Sequence, residues 1–266
     1  MKIISIIEEN KRKINKYFYK NKALEIIYFL GSVFLMLITC VPPFRSLDSI
    51  SASQKGYYYA NYFDLGFIKR GLMGTIVKIL HLPNFLSPSL LVLSLHIIFL
   101  ISFSLIFWTL TKSCFKGWTI KDKIPFYTLF TLSPVLFLRL GFDIGRMDLI
   151  CLVLSIATIM ILLKNSFSDF KKLIFITLSI SIQLLIHEAS LLYYSPLIVI
   201  LFVYKYKNIK NIKFVKVLSL STLPIFVFLN ILIFGRYEPG LEELNTYFTN
   251  ISQELDTTMN VELIHT

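Results

Sequence analysis

Residues 62–74 read YFDLGFIKRGLMG. Asp64 precedes the adjacent cations Lys69 and Arg70, and the glycines at 66, 71 and 74 permit close backbone approach. A carboxylate accepts a proton, while an ammonium and a guanidinium make a seat for phosphate. The glycine spacing matches neither a P-loop nor a dinucleotide fingerprint, and Gly71 and Gly74 equally suit helix packing. Three further stretches combine acids with fork-shaped or imidazole groups. GFDIGRMD (141–148) carries Asp143, Arg146 and Asp148, with Arg139 just before it. IHEASLLYYSP (186–196) sets His187 and Glu188 between two apolar runs, and GRYEPG (235–240) adds Arg236 and Glu238.

A zinc-protease HExxH motif would need a second histidine where Leu191 stands, so His187–Glu188 is not one. The three cysteines, Cys40, Cys114 and Cys151, have no metal-ligand spacing and suggest no disulfide framework. No cofactor signature is present, although a divalent metal carried in with a phosphate leaves no motif to read. Each cluster also has a structural reading. Acids and arginines can staple loops together, Glu188 can cap a helix, and GRYEPG can anchor a membrane edge. The Tyr57–Tyr58–Tyr59 run and Tyr62 suit either an interfacial aromatic belt or stacking on a sugar ring.

The elements that must position these groups are membrane helices. Of 266 residues, 55% are hydrophobic and 15% aromatic. Runs such as Ala23–Cys40 are nearly free of charge and long enough to cross a hydrocarbon core of ~30 Å. The expectation is an all-α, polytopic bundle of about seven spans, at 23–42, 87–110, 124–139, 149–163, 173–187, 189–204 and 217–234. The first span is preceded by a basic cytoplasmic N-terminus (1–22) and reads as retained rather than as a cleaved signal. Residues 23–234 form one helical membrane domain, and 235–266 read as an outer polar tail, possibly incomplete. The fifth and sixth spans make a hairpin bent at His187–Glu188, while Pro83 and Pro88 flank a short interfacial helix in a long first outer loop.

A net charge of +11 raises the question of nucleic acid, but the cations fall in short tracts between hydrophobic runs, as juxtamembrane anchors do. With the N-terminus inside, 19 of the 27 Lys and Arg residues are cytoplasmic. The two residue types divide. Lysine follows the positive-inside bias, whereas among the arginines only Arg12 is inside; Arg45, Arg70, Arg139, Arg146 and Arg236 are all outside. The acids Asp48, Asp64, Asp143, Asp148, Glu188 and Glu238 keep them company there. What arginine offers and lysine does not is a planar fork that grips phosphate or carboxylate by paired hydrogen bonds. Ionisable groups at a membrane edge are costly and mark functional or paired positions.

This order of features resembles the GT-C superfamily of membrane glycosyltransferases that use polyprenyl-phosphate-linked sugars. The likeness covers roughly residues 20–234: an N-in first span, a long outer loop with an acid, then a second outer turn of the form Arg-x-Asp leading into an apolar span. The resemblance implies a lipid-linked sugar donor, a glycan or lipid-linked acceptor, and an active face on the extracytoplasmic side of a bacterial inner membrane. It implies that Asp64 or Asp48 acts as the base or positions the acceptor, and that Asp148 is the second-loop acid. Lys69, Arg70, Arg139, Asp143, Arg146, His187, Glu188 and Arg236 would then contact phosphate or sugar. Two alternatives stand beside it. One is a polymerase of lipid-linked repeat units; the other is a non-enzymatic lipid or ion transporter, or a subunit of a polysaccharide-assembly complex. Span centres nearly free of charge speak against transport.

Overall fold

The computed structural model describes residues 23–27, 29–31, 33–34, 50–115, 118, 122–125, 144–164, 167–206, 214–235, 241–257 and 259. Every regular element among them is helical. In chain order these are α1 (Ala52–Tyr57), α2 (Tyr62–Leu65), α3 (Leu72–Ile79), α4 (Pro88–Cys114), α5 (Asp148–Leu163), α6 (Asp169–Ile186), α7 (Ser190–Tyr193), α8 (Ser195–Tyr206), α9 (Phe214–Phe234) and α10 (Leu241–Glu254). Residues 23–27, 29–31 and 33–34 are helical as well, which is where the first span is expected; most of the third span lies outside the described residues.

Among the described residues one helix, over Pro88–Lys112, is long and apolar enough to cross a membrane. Its 27 residues as a complete helix extend about 40 Å. Asp148–Leu163, Ser190–Tyr204 and Ser221–Phe234 are apolar but shorter. The hairpin at His187–Glu188 is present, with α6 ending at Ile186 and the return helix broken into α7 and α8. Two expectations need correction. The short helix of the first loop is α3, not the stretch between Pro83 and Pro88, which holds only a 3-10 turn at Leu82–Asn84. Pro88 instead starts α4, where a missing N–H costs nothing.

The second correction concerns the tail. Instead of a polar appendage, its described part forms α10, which buries Leu244 and Phe248 in the same core as Tyr58, Ile68, Leu91 and Met147. Apolar residues at 244, 247, 248, 251 and 255 recur at helical spacing and make the inward stripe, so a charged outer face hides a core helix. A second core, with Leu162, Leu184, Ile198 and Ile231, joins α5, α6, α8 and α9.

Helices α4, α5 and α6 pack side by side. A polar ladder fastens α5 to α6: Ser155 Oγ donates to Gln183 Oε1 at 3.0 Å, Gln183 Nε2 donates to Ser179 Oγ at 3.0 Å, and Thr158 and Ser179 share a hydrogen bond of 2.7 Å. Gln183 is wholly buried, so a partner at both its amide oxygen and its amide nitrogen is what makes it tolerable there. Near the C-terminal end of α4, Trp108 packs on Phe29 at 4.4 Å, and Lys123 pairs with Glu25 at 3.0 Å. The Arg70–Glu188 and Lys78–Asp64 pairs and the Arg146–Asp148–His187 group lie at the opposite end, where α4 and α5 begin.

Candidate functional site

Local sequence builds the first-loop wall. Ser51 caps α1 in a capping box with Gln54, each side chain bonding the other's backbone N–H. Asn61 caps α2 through Oδ1, which accepts from the N–H of Phe63 and of Asp64 at 3.0 Å. Helix α3 then rests on the turn before α2. A Cβ on Gly74 would fall 1.9 Å from the carbonyl oxygen of Ala60, so only glycine allows that approach. The N–H of Lys69 donates to the carbonyl of Gly235 at 2.9 Å, tying the loop to the end of α9.

Arg70 sits between α2 and α3 with φ 61°, a left-handed conformation unfavourable for a bulky residue by roughly 1–2 kcal/mol. Its side chain is correspondingly well held. Nε and Nη2 fork onto Glu188 Oε2 and Oε1 at 3.0 and 2.6 Å, and Nη1 donates to the Tyr57 hydroxyl at 3.0 Å. Burial alone would raise the Glu188 pKa, but the hydrogen bonds and charge of Arg70 outweigh it and hold the carboxyl below its ordinary value.

Across from Arg70 stands the second outer turn. Gly145 has φ 89°, which an L side chain rarely adopts, and its N–H donates to Nδ1 of the buried His96 at 3.3 Å. That turn delivers Arg146 and Asp148 to the mouth of α5, where a first-turn carboxylate also favours the helix dipole. Arg146 Nε donates to Asp148 Oδ2 at 3.0 Å, and His187 Nε2 lies 3.6 Å from Asp148 Oδ1. His187 Nδ1 accepts the N–H of Ala189 at 3.2 Å, which places the ring proton on Nε2, facing Asp148. Burial, and then the Arg70 charge, depress the His187 pKa against the pull of Asp148 and Glu188, so the imidazole is neutral at pH 7.

Arg70, Arg146, Asp148 and His187, with Tyr57, Gln54, Ser53 and Met147, line one cavity of about 360 Å³. Comparison with protein-family models, curated proteins and solved structures returns no match to this chain. Geometry alone therefore speaks for the site. The cavity joins three segments that the sequence keeps far apart: the first loop, the 141–148 turn and the 187–188 bend. Glu188 serves from behind, as the partner of Arg70.

Asp64 is elsewhere. It pairs with Lys78, accepts from Asn61 Nδ2 and the Tyr247 hydroxyl, each at 2.9 Å, and lines a different cleft of about 410 Å³ beside α10. Lys69 lines neither cavity. Asp48, Arg139, Asp143 and Arg236, like Arg45, lie outside the described residues. Among the described residues no group of three or more His, Cys, Asp or Glu side chains is arranged to hold a metal ion. Sequence reasoning passed over His96, although a lone histidine in a long apolar run is a signal in itself. It also passed over Tyr247, for which the stripe of α10 was the available sign. The consecutive tyrosines divide their work: Tyr57 faces the arginine cavity, and Tyr58 and Tyr59 line the cleft of Asp64.

Proposed function

We propose that this protein is a multi-span membrane glycosyltransferase. It moves a sugar from a polyprenyl-phosphate-type donor to an acceptor hydroxyl at the extracytoplasmic face of a bacterial inner membrane, in the assembly of a cell-surface glycan. The observation that carries the reading is the convergence of Arg70, Arg146, Asp148 and His187 on one cavity. Supporting it, the long helices turn large apolar side chains outward. Ile200 is 63% exposed, Phe226 64% and Ile233 65%, a distribution suited to hydrocarbon rather than water. Seven spans with the N-terminus inside put the cavity on the outer side, by the lysine distribution already described.

In this reading the acceptor oxygen attacks the anomeric carbon, and the bond from that carbon to the phosphate oxygen breaks. The electron pair leaves with the lipid phosphate, and the hydroxyl proton passes to a carboxylate. Asp64 or Asp48 is the expected base and Asp148 the second-loop acid; Asp48 lies outside the described residues, and Asp148 lines the cavity, its oxygens set by Arg146 and His187. Asp64 faces the other cleft, and in this reading Asp148, the carboxylate among the described residues that lines the cavity, takes the base role. Fixed cations stabilise the charge that develops on the departing phosphate, and Arg70 and Arg146 supply them. Neutral His187 orients the carboxylate without competing for the proton.

The test is a transfer assay in membranes with polyprenyl-phosphate-linked hexoses. Asp148→Asn is expected to lower the rate by about 10²–10⁴-fold at unchanged protein level. Full activity in that variant removes Asp148 as base, and no transfer from any such donor by the parent protein overturns the reading.

A further inference from the structure

The cleft of Asp64 is built as a site in its own right. Tyr58, Tyr59, Asn61, Asp64, Lys78 and Tyr247 are among its polar and aromatic lining. Its volume, about 410 Å³, falls within the ~300–1,000 Å³ usual for small-molecule sites. Tyr59 is only 7% exposed, and among the described residues its buried hydroxyl has no hydrogen-bond partner. A buried hydroxyl left unpaired is costly and calls for a ligand group able to satisfy it. Beside it, Asp64 is held in place from three directions by Lys78, Asn61 and Tyr247. Asn61 has no freedom to turn: its Oδ1 caps α2, so its Nδ2 must face Tyr59 O, Asp64 and Tyr247.

Charge decides the class of ligand. Asp64 and Glu254 outnumber Lys78 in the lining, so the cleft does not favour an anion. Carboxylate, amide, phenol and aromatic faces in one recess are the groups that hydroxyl-rich rings need, since they supply both acceptors and donors and stack on the apolar face of a ring. We propose that this cleft binds a neutral saccharide, separately from the anionic group expected between Arg70 and Arg146. The first loop forms one wall and α10 the other, which gives the C-terminal helix a recognition role. The assignment stands on this cleft alone and does not require the transfer reaction.

Saturation-transfer NMR tests it, using the full chain in a glycoside-free detergent such as lauryl dimethylamine oxide. The probes are the methyl glycosides of glucose, galactose, N-acetylglucosamine and rhamnose, with inorganic phosphate as the anionic control. At least one glycoside is expected to receive saturation. Its affinity should fall about tenfold in Asp64→Asn and also fall in Tyr59→Phe, while Arg146→Gln leaves it unchanged. Tyr59→Phe removes a hydroxyl that has no partner among the described residues, so thermal stability should hold or rise while binding falls; a purely structural tyrosine would not separate the two. Absence of signal from all four glycosides, signal that survives both cleft variants, or competition by phosphate overturns the proposal.

Discussion

The guanidinium of Arg70 and the carboxylate of Glu188 meet in a two-point fork, at 3.0 and 2.6 Å, across 118 residues of sequence. That pair joins the first loop to the α6–α7 bend, and the side chains are only 12% and 28% exposed. It also explains why an arginine in an unfavourable backbone conformation persists at this place. Lysine can supply the charge but not two parallel hydrogen bonds plus a third to Tyr57.

Arg70→Lys should therefore destabilise the folded protein by roughly 1.5–3 kcal/mol, the range for hydrogen bonds to charged groups. Glu188→Gln should cost a similar amount, and the double variant distinctly less than the sum. Thermal unfolding in detergent reads this cycle. Strict additivity would mean that the fork holds nothing together.

The bend should also make the protein acid-sensitive, in two stages. Burial and Arg70 disfavour the cationic form of His187, so its folded pKa lies below the ordinary one while the unfolded chain titrates near 6.5. As pH falls through ~6.5 the unfolded state binds the extra proton and stability declines. Glu188 acts at lower pH: its folded pKa is depressed, so the stability it contributes is present above the ordinary carboxyl value and lost as pH falls through the folded one. Asp148 and Arg146 also face the ring and set the size of the first stage. His187→Gln should abolish the decline between pH 7 and 5 and keep the one below it. Equal slopes in both proteins across that window would refute the assignment.

Helix α10 should behave as core. Phe248 is 2% exposed among Tyr58, Ile68 and their neighbours, and Phe248→Ala should cost about 3–5 kcal/mol by cavity formation. Thr246→Ala, on the exposed face of the same helix, should change stability by less than about 0.5 kcal/mol. Equal, small effects from both would return the segment to the status of a tail.

Long-range periodicity was the most legible part of this protein. Apolar runs placed α4, α5, α6 and α9 to within about four residues, and the run at 189–204 covers the broken pair α7 and α8, because hydrophobicity over a helix length is a property that no tertiary partner is needed to express. The hairpin at His187 was legible for the same reason. Helix α10 was not, since its stripe of five apolar positions is diluted by Glu242, Glu243 and Glu254 and reads as polar on average.

The same division runs through the site. Charge sidedness, counted residue by residue, already grouped Arg70, Arg146, Asp148 and Glu188 along with Asp64 and other outer charges, and the structure brings these four together with His187. What counting does not contain is direction. Asp64 and Arg70 lie six residues apart in one motif, yet they serve opposite walls, because α2 ends at Leu65 and the chain turns at Gly66 with φ 69° before Arg70 points back toward α1. Composition and spacing say which groups reach one end of the bundle, since a helix carries its ends to a predictable depth. Which cavity each group enters depends on turn dihedrals and on partners more than a hundred residues away, and those exist only once the chain has folded.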